Sequence, residues 1–256
     1  MRYELLGPPR LVRDGEEFLL SAAKLELLLC TLLARTDQTV ASHQLLDELW
    51  PDHPPRRAEA SLHVYVSQLR KFLAGLGDGE QPIVTRSPGY MLRLGPDRLD
   101  LQDFQETLAG GREPLTKGHP KEAGLAFEAA LALGRGPVLG GLGGGPILAG
   151  LTTRFEESRL ECLELMIEAK LRQNRHREVV GLLYSLITEH PLREAFYQFL
   201  MVALHRSDRQ ADALLVYQRA RRTMIDEVGV EPCRALRDLH EAILLENRMP
   251  PLQIAV

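Results

Sequence analysis

Apolar residues along the first hundred positions follow two different periods. Runs at Tyr3 to Leu6, Arg10 to Val12 and Glu16 to Leu20 predict short strands, the last two joined at Asp14-Gly15. That dipeptide suits the positive φ values of a tight hairpin turn. The period then lengthens. Leu25, Leu28, Leu29 and Leu32 stand at i, i+3, i+4 and i+7, one buried stripe on a helix from Lys24 to Ala34 that Ser21 is placed to cap. Ser42 is a second N-cap candidate, before a helix from His43 to Trp50 with Leu45, Leu46 and Leu49 inward and Asp47 and Glu48 outward. Trp50-Pro51 ends that helix, because proline disfavours the helical state in the residue before it. Pro54-Pro55 introduces the longest regular stretch of the region, Arg56 to Leu73.

This third helix has two unlike faces. Leu62, Val66, Leu69 and Leu73 repeat at i, i+4, i+7 and i+11 and form its core side, flanked by Tyr65 and Phe72. The opposite stripe holds Arg56, Arg57, Ala60, His63, Val64, Ser67, Gln68 and Lys71. Cations for phosphates, short side chains for close approach and amide or hydroxyl groups for base edges suit a helix entering a major groove. An ordinary solvated helix face has a similar composition, so the helix alone leaves both readings open. Beyond the polar stretch Gly75 to Gln81, Ile83-Val84-Thr85 and Tyr90-Met91-Leu92 predict a hairpin turned by Arg86-Ser87-Pro88-Gly89. A basic hairpin directly after such a helix is a wing, with Arg86 at its tip aimed at the adjacent minor groove.

Past about residue 97 the strands are expected to stop. Amphipathic helices are predicted at 100–111, 119–134, 151–173, 175–189, 193–206, 209–227 and 233–246, joined by short connections. Shifting the chain by 34 residues sets Leu163 on Tyr197, Met166 on Leu200, Val179 on Ala213, Leu183 on Tyr217 and Leu186 on Ala220. That period predicts tetratricopeptide-like helix pairs, with Phe104, Ala123, Phe127 and Ala130 as an earlier degenerate copy. A generic helical bundle is the alternative. Gly134 to Gly150 holds eight glycines in 17 positions. It contains neither a P-loop nor a dinucleotide fingerprint, and it follows a helix, not a strand. A flexible linker inside the helical domain is expected there.

Composition narrows the function classes. No apolar run approaches the ~18 residues of a membrane helix, and the N-terminal residues lack a signal-peptide pattern. Three isolated cysteines, Cys30, Cys162 and Cys233, suggest reduced thiols and a cytoplasmic protein. The scattered histidines offer no metal spacing, no nucleophile elbow is present, and Glu156, Glu157 and Glu161 beside Arg154 and Arg159 read as an ion-paired helix surface. The reading is therefore no enzyme, no metal, no cofactor and no membrane partner. Neither a receiver domain nor an ATPase module is recognisable, so regulation is expected through concentration, a ligand of the helical domain, or a partner.

Ala60-Ser61-Leu62-His63-Val64-Tyr65-Val66-Ser67-Gln68-Leu69-Arg70-Lys71 resembles the recognition helix of OmpR-type winged helix-turn-helix domains. Thr85-Arg86-Ser87-Pro88-Gly89-Tyr90 resembles their wing. Leu45 to Trp50 with Pro54-Pro55 is similar to a narrower group, the Streptomyces antibiotic regulatory protein (SARP) family. So are Asp97 to Phe104, His190 to Glu194, Leu204 to Arg209, Ala211 to Arg221 and Glu227 to Pro232, which resemble its bacterial transcriptional activator domain. The resemblance implies an α-rich fold with a small β part: a winged helix-turn-helix over 1–95, then an all-α tetratricopeptide-like domain over 96–256. It implies a sequence-specific activator that binds double-stranded promoter DNA at direct repeats as a homodimer and recruits RNA polymerase holoenzyme. Such a protein controls secondary-metabolite gene clusters and sits on the nucleoid. Val64, Ser67 and Gln68 are expected at bases, and Arg57, Arg70, Lys71 and Arg86 at phosphates or the wing groove. Arg56, Ser61, His63 and Tyr90 complete the expected DNA-contacting set. Where the OmpR pattern often has Arg, this chain has Gln68, so a base preference does not carry over. The alternative is a helical-repeat interaction scaffold whose winged domain binds protein.

Charge sharpens this picture. The chain carries a formal net charge of -4. Within residues 53–93, six cations face three acids. Non-specific DNA affinity is therefore expected to be weak, with specificity resting on base contacts and cooperative binding.

Overall fold

The computed structural model describes residues 1–76 and 81–245. The middle of the predicted polar stretch and Glu246, the end of the last predicted helix, lie outside the described residues. The chain forms two compact units. One comprises Met1–Ala109 with Ala129–Leu160, the other Gly110–Glu128 with Glu161 onward.

In the first unit, strands β1 (Arg2–Glu4), β2 (Arg10–Arg13) and β3 (Glu16–Phe18) precede helix α1 (Ala23–Ala34). Strand β4 (Val40–Ala41) leads into α2 (Ser42–Leu49) and α3 (Ala58–Leu76), and β5 (Ile83–Arg86) and β6 (Gly89–Leu92) form the wing. The β2–β3 turn places Asp14 and Gly15 at φ 54° and 84°, the left-handed values their sequence predicts. One sheet has the order β3-β2-β1-β7 and the other β4-β6-β5. Here β7 (Arg98–Leu99) pairs in parallel with β1, so a strand does form beyond residue 97. Strands of two residues, like β4 and β7, carry no period for a sequence to display.

Three local expectations are corrected. Ser21 does not cap α1: Ala22 holds the cap position, and its carbonyl accepts from the amides of Leu25 and Glu26. Ser42 is the first residue of α2, not its cap; Ala41 stands there, its N–H donating to Gln44 Oε1 at 3.1 Å. Glu48 is not outward but fully buried. Helix α1 also exceeds its predicted stripe, with every residue from Leu27 to Leu33 buried.

The glycine-rich segment is ordered, contrary to the flexible linker expected. Its backbone docks on the strand-end residues after β1: Arg135 N–H donates to Leu6 O at 2.7 Å and Leu139 N–H to Leu5 O at 2.8 Å. The Arg135 guanidinium pairs with Glu4, and Val138 and Leu139 are buried in a 3-10 turn. Composition signalled the entropy of the glycines but not the groups they dock against. On their other side, the amides of Leu5 and Leu6 donate to the buried carboxylate of Asp100 at 2.8–2.9 Å. Burial pushes the Asp100 carboxyl above its ordinary range in spite of those bonds.

Helices α4 (Asp100–Thr116), α5 (Pro120–Leu131), α6 (Pro146–Arg172), α7 (His176–Glu189), α8 (Glu194–His205), α9 (Gln210–Val228) and α10 (Arg234–Leu244) complete the described chain. In the second unit the 34-residue period is visible in the backbone. Asn174 and Asp208, 34 apart, both end a helix in the left-handed region, at φ 60° and 62°. Gly118 does the same at φ 80°, which places the earlier copy 56 residues before Asn174. Ladder bonds keep this register. Arg172 Nη1 donates to Leu115 O and Arg206 Nη1 to Leu171 O, each at 3.0 Å. Ala123 and Phe127 fall opposite Val179 and Leu183 at the same 56-residue offset, all buried. The extra 22 residues of that spacing correspond to the insertion that holds the glycine-rich segment.

Candidate nucleic-acid interface

Helix α3 buries Leu62, Val66, Leu69 and Leu73, the predicted stripe. The other face is bare. His63, Val64, Ser67, Gln68 and Lys71 are exposed, Val64 at 52%. Ser61 is half-buried beside them. The helix begins at Ala58, two residues later than predicted, so Arg56 and Arg57 lie in the preceding turn. Arg57 O still accepts from Ser61 N–H at 3.0 Å, which fixes that turn to the helix.

The wing is secured to α3 by two residues from the sequence-derived set. Arg70 Nε donates to Ile83 O at 3.0 Å and its Nη2 to Thr85 Oγ1 at 2.9 Å, while its guanidinium lies 5.8 Å from the Tyr90 ring centre. The Tyr90 ring is buried and meets His63 edge-on, with ring centres 6.5 Å apart. Arg70 and Tyr90 therefore brace the wing, while Arg86 at the end of β5 stays exposed. Gly89 makes a close crossing possible: a Cβ there would sit 2.0 Å from Val40 O. Sequence reasoning missed Ser42 as a wing anchor. Its N–H and its Oγ both donate to Pro88 O, each at 3.1 Å. No local pattern links positions 42 and 88, so only the folded chain reveals the pair.

Cations of this face gather around α3 and the wing. Arg56, Arg57, Lys71 and Arg86 are exposed, and none forms an ion pair with another described residue. Elsewhere arginines commonly face a carboxylate, as Arg175 faces Glu178 and Arg221 faces Glu231. Cations not held in an ion pair remain available to a polyanion. Among the described residues no helix is long and apolar enough to cross a membrane.

Comparisons with known proteins match both the winged region and the helical region. Residues 99–244 match the model of the bacterial transcriptional activator domain, and residues 15–92 that of the C-terminal domain of transcriptional regulatory proteins. Regulatory protein AfsR of Streptomyces coelicolor is 38% identical over 95% of this chain, which spans 24% of AfsR. Regulatory protein DnrI of Streptomyces peucetius is 32% identical over 95% of the chain and 92% of DnrI. A solved structure of Mycobacterium tuberculosis EmbR with a low-affinity phosphopeptide superposes with a TM-score of 0.92 at 32% identity, covering 98% of this chain and 66% of EmbR.

Proposed function

The chain belongs to the SARP family of transcriptional regulators, an OmpR-type winged helix-turn-helix joined to a bacterial transcriptional activator domain, and from that premise we propose that it activates transcription by binding promoter DNA. In this reading the exposed face of α3 lies in the major groove. Val64, Ser67 and Gln68 meet base edges, Val64 suiting a thymine methyl and Gln68 an adenine. Arg56, Arg57 and Lys71 engage phosphates, with Ser61 and His63 at the margins of the groove. Arg86 grips the flanking minor groove. Arg70 and Tyr90 act by holding the wing in place. Two copies bind direct repeats about one helical turn apart, as a homodimer on one DNA face. The helical part contacts RNA polymerase holoenzyme, and the regulated genes are those of a secondary-metabolite cluster on the nucleoid.

The observation that carries the reading is the coincidence of an exposed Val-Ser-Gln stripe on α3 with unpaired cations around it, Lys71 on the helix, Arg56 and Arg57 in the turn before it and Arg86 on the wing. The test is a mobility shift with an upstream fragment of about 40 base pairs across a salt series. A binder that neutralises several phosphates weakens log-linearly as salt rises. If no shift occurs even at low salt, the activator reading fails.

A further inference from the structure

Glu48 is fully buried on α2 and has no ion pair with a described residue. A buried carboxylate without a cation is costly unless amides satisfy it. Two do so, and both lie far along the chain. Ile147 N–H donates to Oε1 and Leu148 N–H to Oε2, the latter at 3.4 Å. These are unpaired amides in the first turn of α6, where the helix dipole favours an anion. The approach is shaped by two glycines. A Cβ on Gly145 would fall 2.9 Å from Asp47 O and 2.9 Å from Glu48 Oε1. One on Gly144 would fall 2.8 Å from Leu148 Cδ1 and 3.2 Å from Glu48 Oε2.

Helix α2 is held at both ends. At its start, Ser42 donates twice to Pro88 O of the wing. Just past Glu48, Trp50 stacks on Tyr65 of α3 with ring centres 6.0 Å apart. Lys24 donates to Leu49 O beneath the same turn. The α6 end therefore reaches both DNA-reading elements through one short rod of eight residues.

We infer that Glu48 is a positioning residue: it locks the first turn of α6 to α2 and thereby sets the placement of α3 and the wing. This rests on the DNA-binding reading for its consequence but not for its mechanics, and the test separates the two. The full chain carrying Glu48→Gln keeps the side-chain volume and loses the charge. Gly145→Ala disturbs the same junction with Glu48 intact, and replaces it should Glu48→Gln fail to fold.

Hydrogen exchange on the free chain is the first measurement. Faster exchange at Ile147 and Leu148 together with α3 amides between Leu62 and Leu69 is expected. Faster exchange confined to 145–150 overturns the inference and leaves Glu48 as a helix cap alone. The second measurement is affinity for a genomically selected fragment and for its scrambled counterpart. The ratio between the two is expected to fall about tenfold in either variant. An unchanged ratio with a lowered melting temperature also overturns it. If the unsubstituted chain binds neither DNA, the DNA-binding reading fails, and the exchange measurement still decides the coupling.

Discussion

Helices α3 and α9 are both 19 residues long and bury nearly the same stripe, Leu62, Val66, Leu69 and Leu73 in one, Ala213, Val216, Ala220 and Met224 in the other. Both also bring arginines to the surface. Their polar faces nevertheless differ in how those cations are met. Around α9, Arg209 meets Asp212, Arg219 donates to Thr188 Oγ1, and Arg221 makes two bonds to Glu231. Around α3, Arg56, Arg57 and Lys71 meet no acid among the described residues. Arg222 of α9 is exposed and without an ion pair among the described residues too, so what sets α3 apart is the gathering of such cations with Arg86 of the wing beside an exposed Val-Ser-Gln stripe. Size differs as well: α9 buries two alanines where α3 buries leucine and valine, as close helix pairing requires small residues at the contact.

The sharpest way to test the contrast is through the cores. Leu69→Ala is expected to destabilise the winged region by about 2–5 kcal/mol through a cavity, read as a lowered denaturation midpoint. A normal midpoint would remove Leu69 from the core. Gln68→Ala comes next. It is expected to narrow the gap between cognate and scrambled DNA by about 1–3 kcal/mol in titrations, with little loss on scrambled DNA. Equal loss on both would make α3 as indifferent to sequence as α9.

Lys71→Ala and Arg86→Ala are expected to weaken all DNA alike and to lower the log-log salt slope by about one each. Arg221→Ala should leave that slope unchanged, because its charge is already met by Glu231. A matching loss from Arg221→Ala would erase the distinction between paired and free cations. The smallest effect is in the pH profile. Arg221 holds the Glu231 carboxyl below its ordinary value, so its contribution is present above the unfolded value and is lost as pH falls through the folded one. Glu231→Gln should flatten that acid limb of the melting curve slightly, and added salt should shrink the difference.

Much of this was legible in the sequence because periodic burial leaves a periodic trace. The four leucine and valine positions of α3, the Asp14-Gly15 turn and the 34-residue offset of the helix pairs all follow from local spacing. What was not legible depends on partners remote in sequence. An acid among leucines on α2 reads as solvent-facing until the α6 amides that receive it are in place. Arg70 reads as one more cation of a basic face, while its donors are committed to Ile83 and Thr85. The degenerate helical copy was found by its residues, but its 56-residue spacing became clear only from three left-handed positions at Gly118, Asn174 and Asp208.

The docked glycine-rich segment also orders events in time. Leu5 and Leu6 await Asp100, Arg135 and Leu139, and Glu48 awaits Ile147. A chain emerging from the ribosome has made all of its winged-helix strands and helices by residue 99, with Asp100 next, Arg135 and Leu139 about forty residues later, and Ile147 only after roughly fifty. At about 5–20 residues per second that is a pause of several seconds. During it the Glu48 carboxylate has no amides to meet and the strand end after β1 has open hydrogen-bonding groups. The nascent DNA-reading half is thus expected to mature only after the start of α6 has been synthesised, which delays its commitment to DNA until part of the helical half exists.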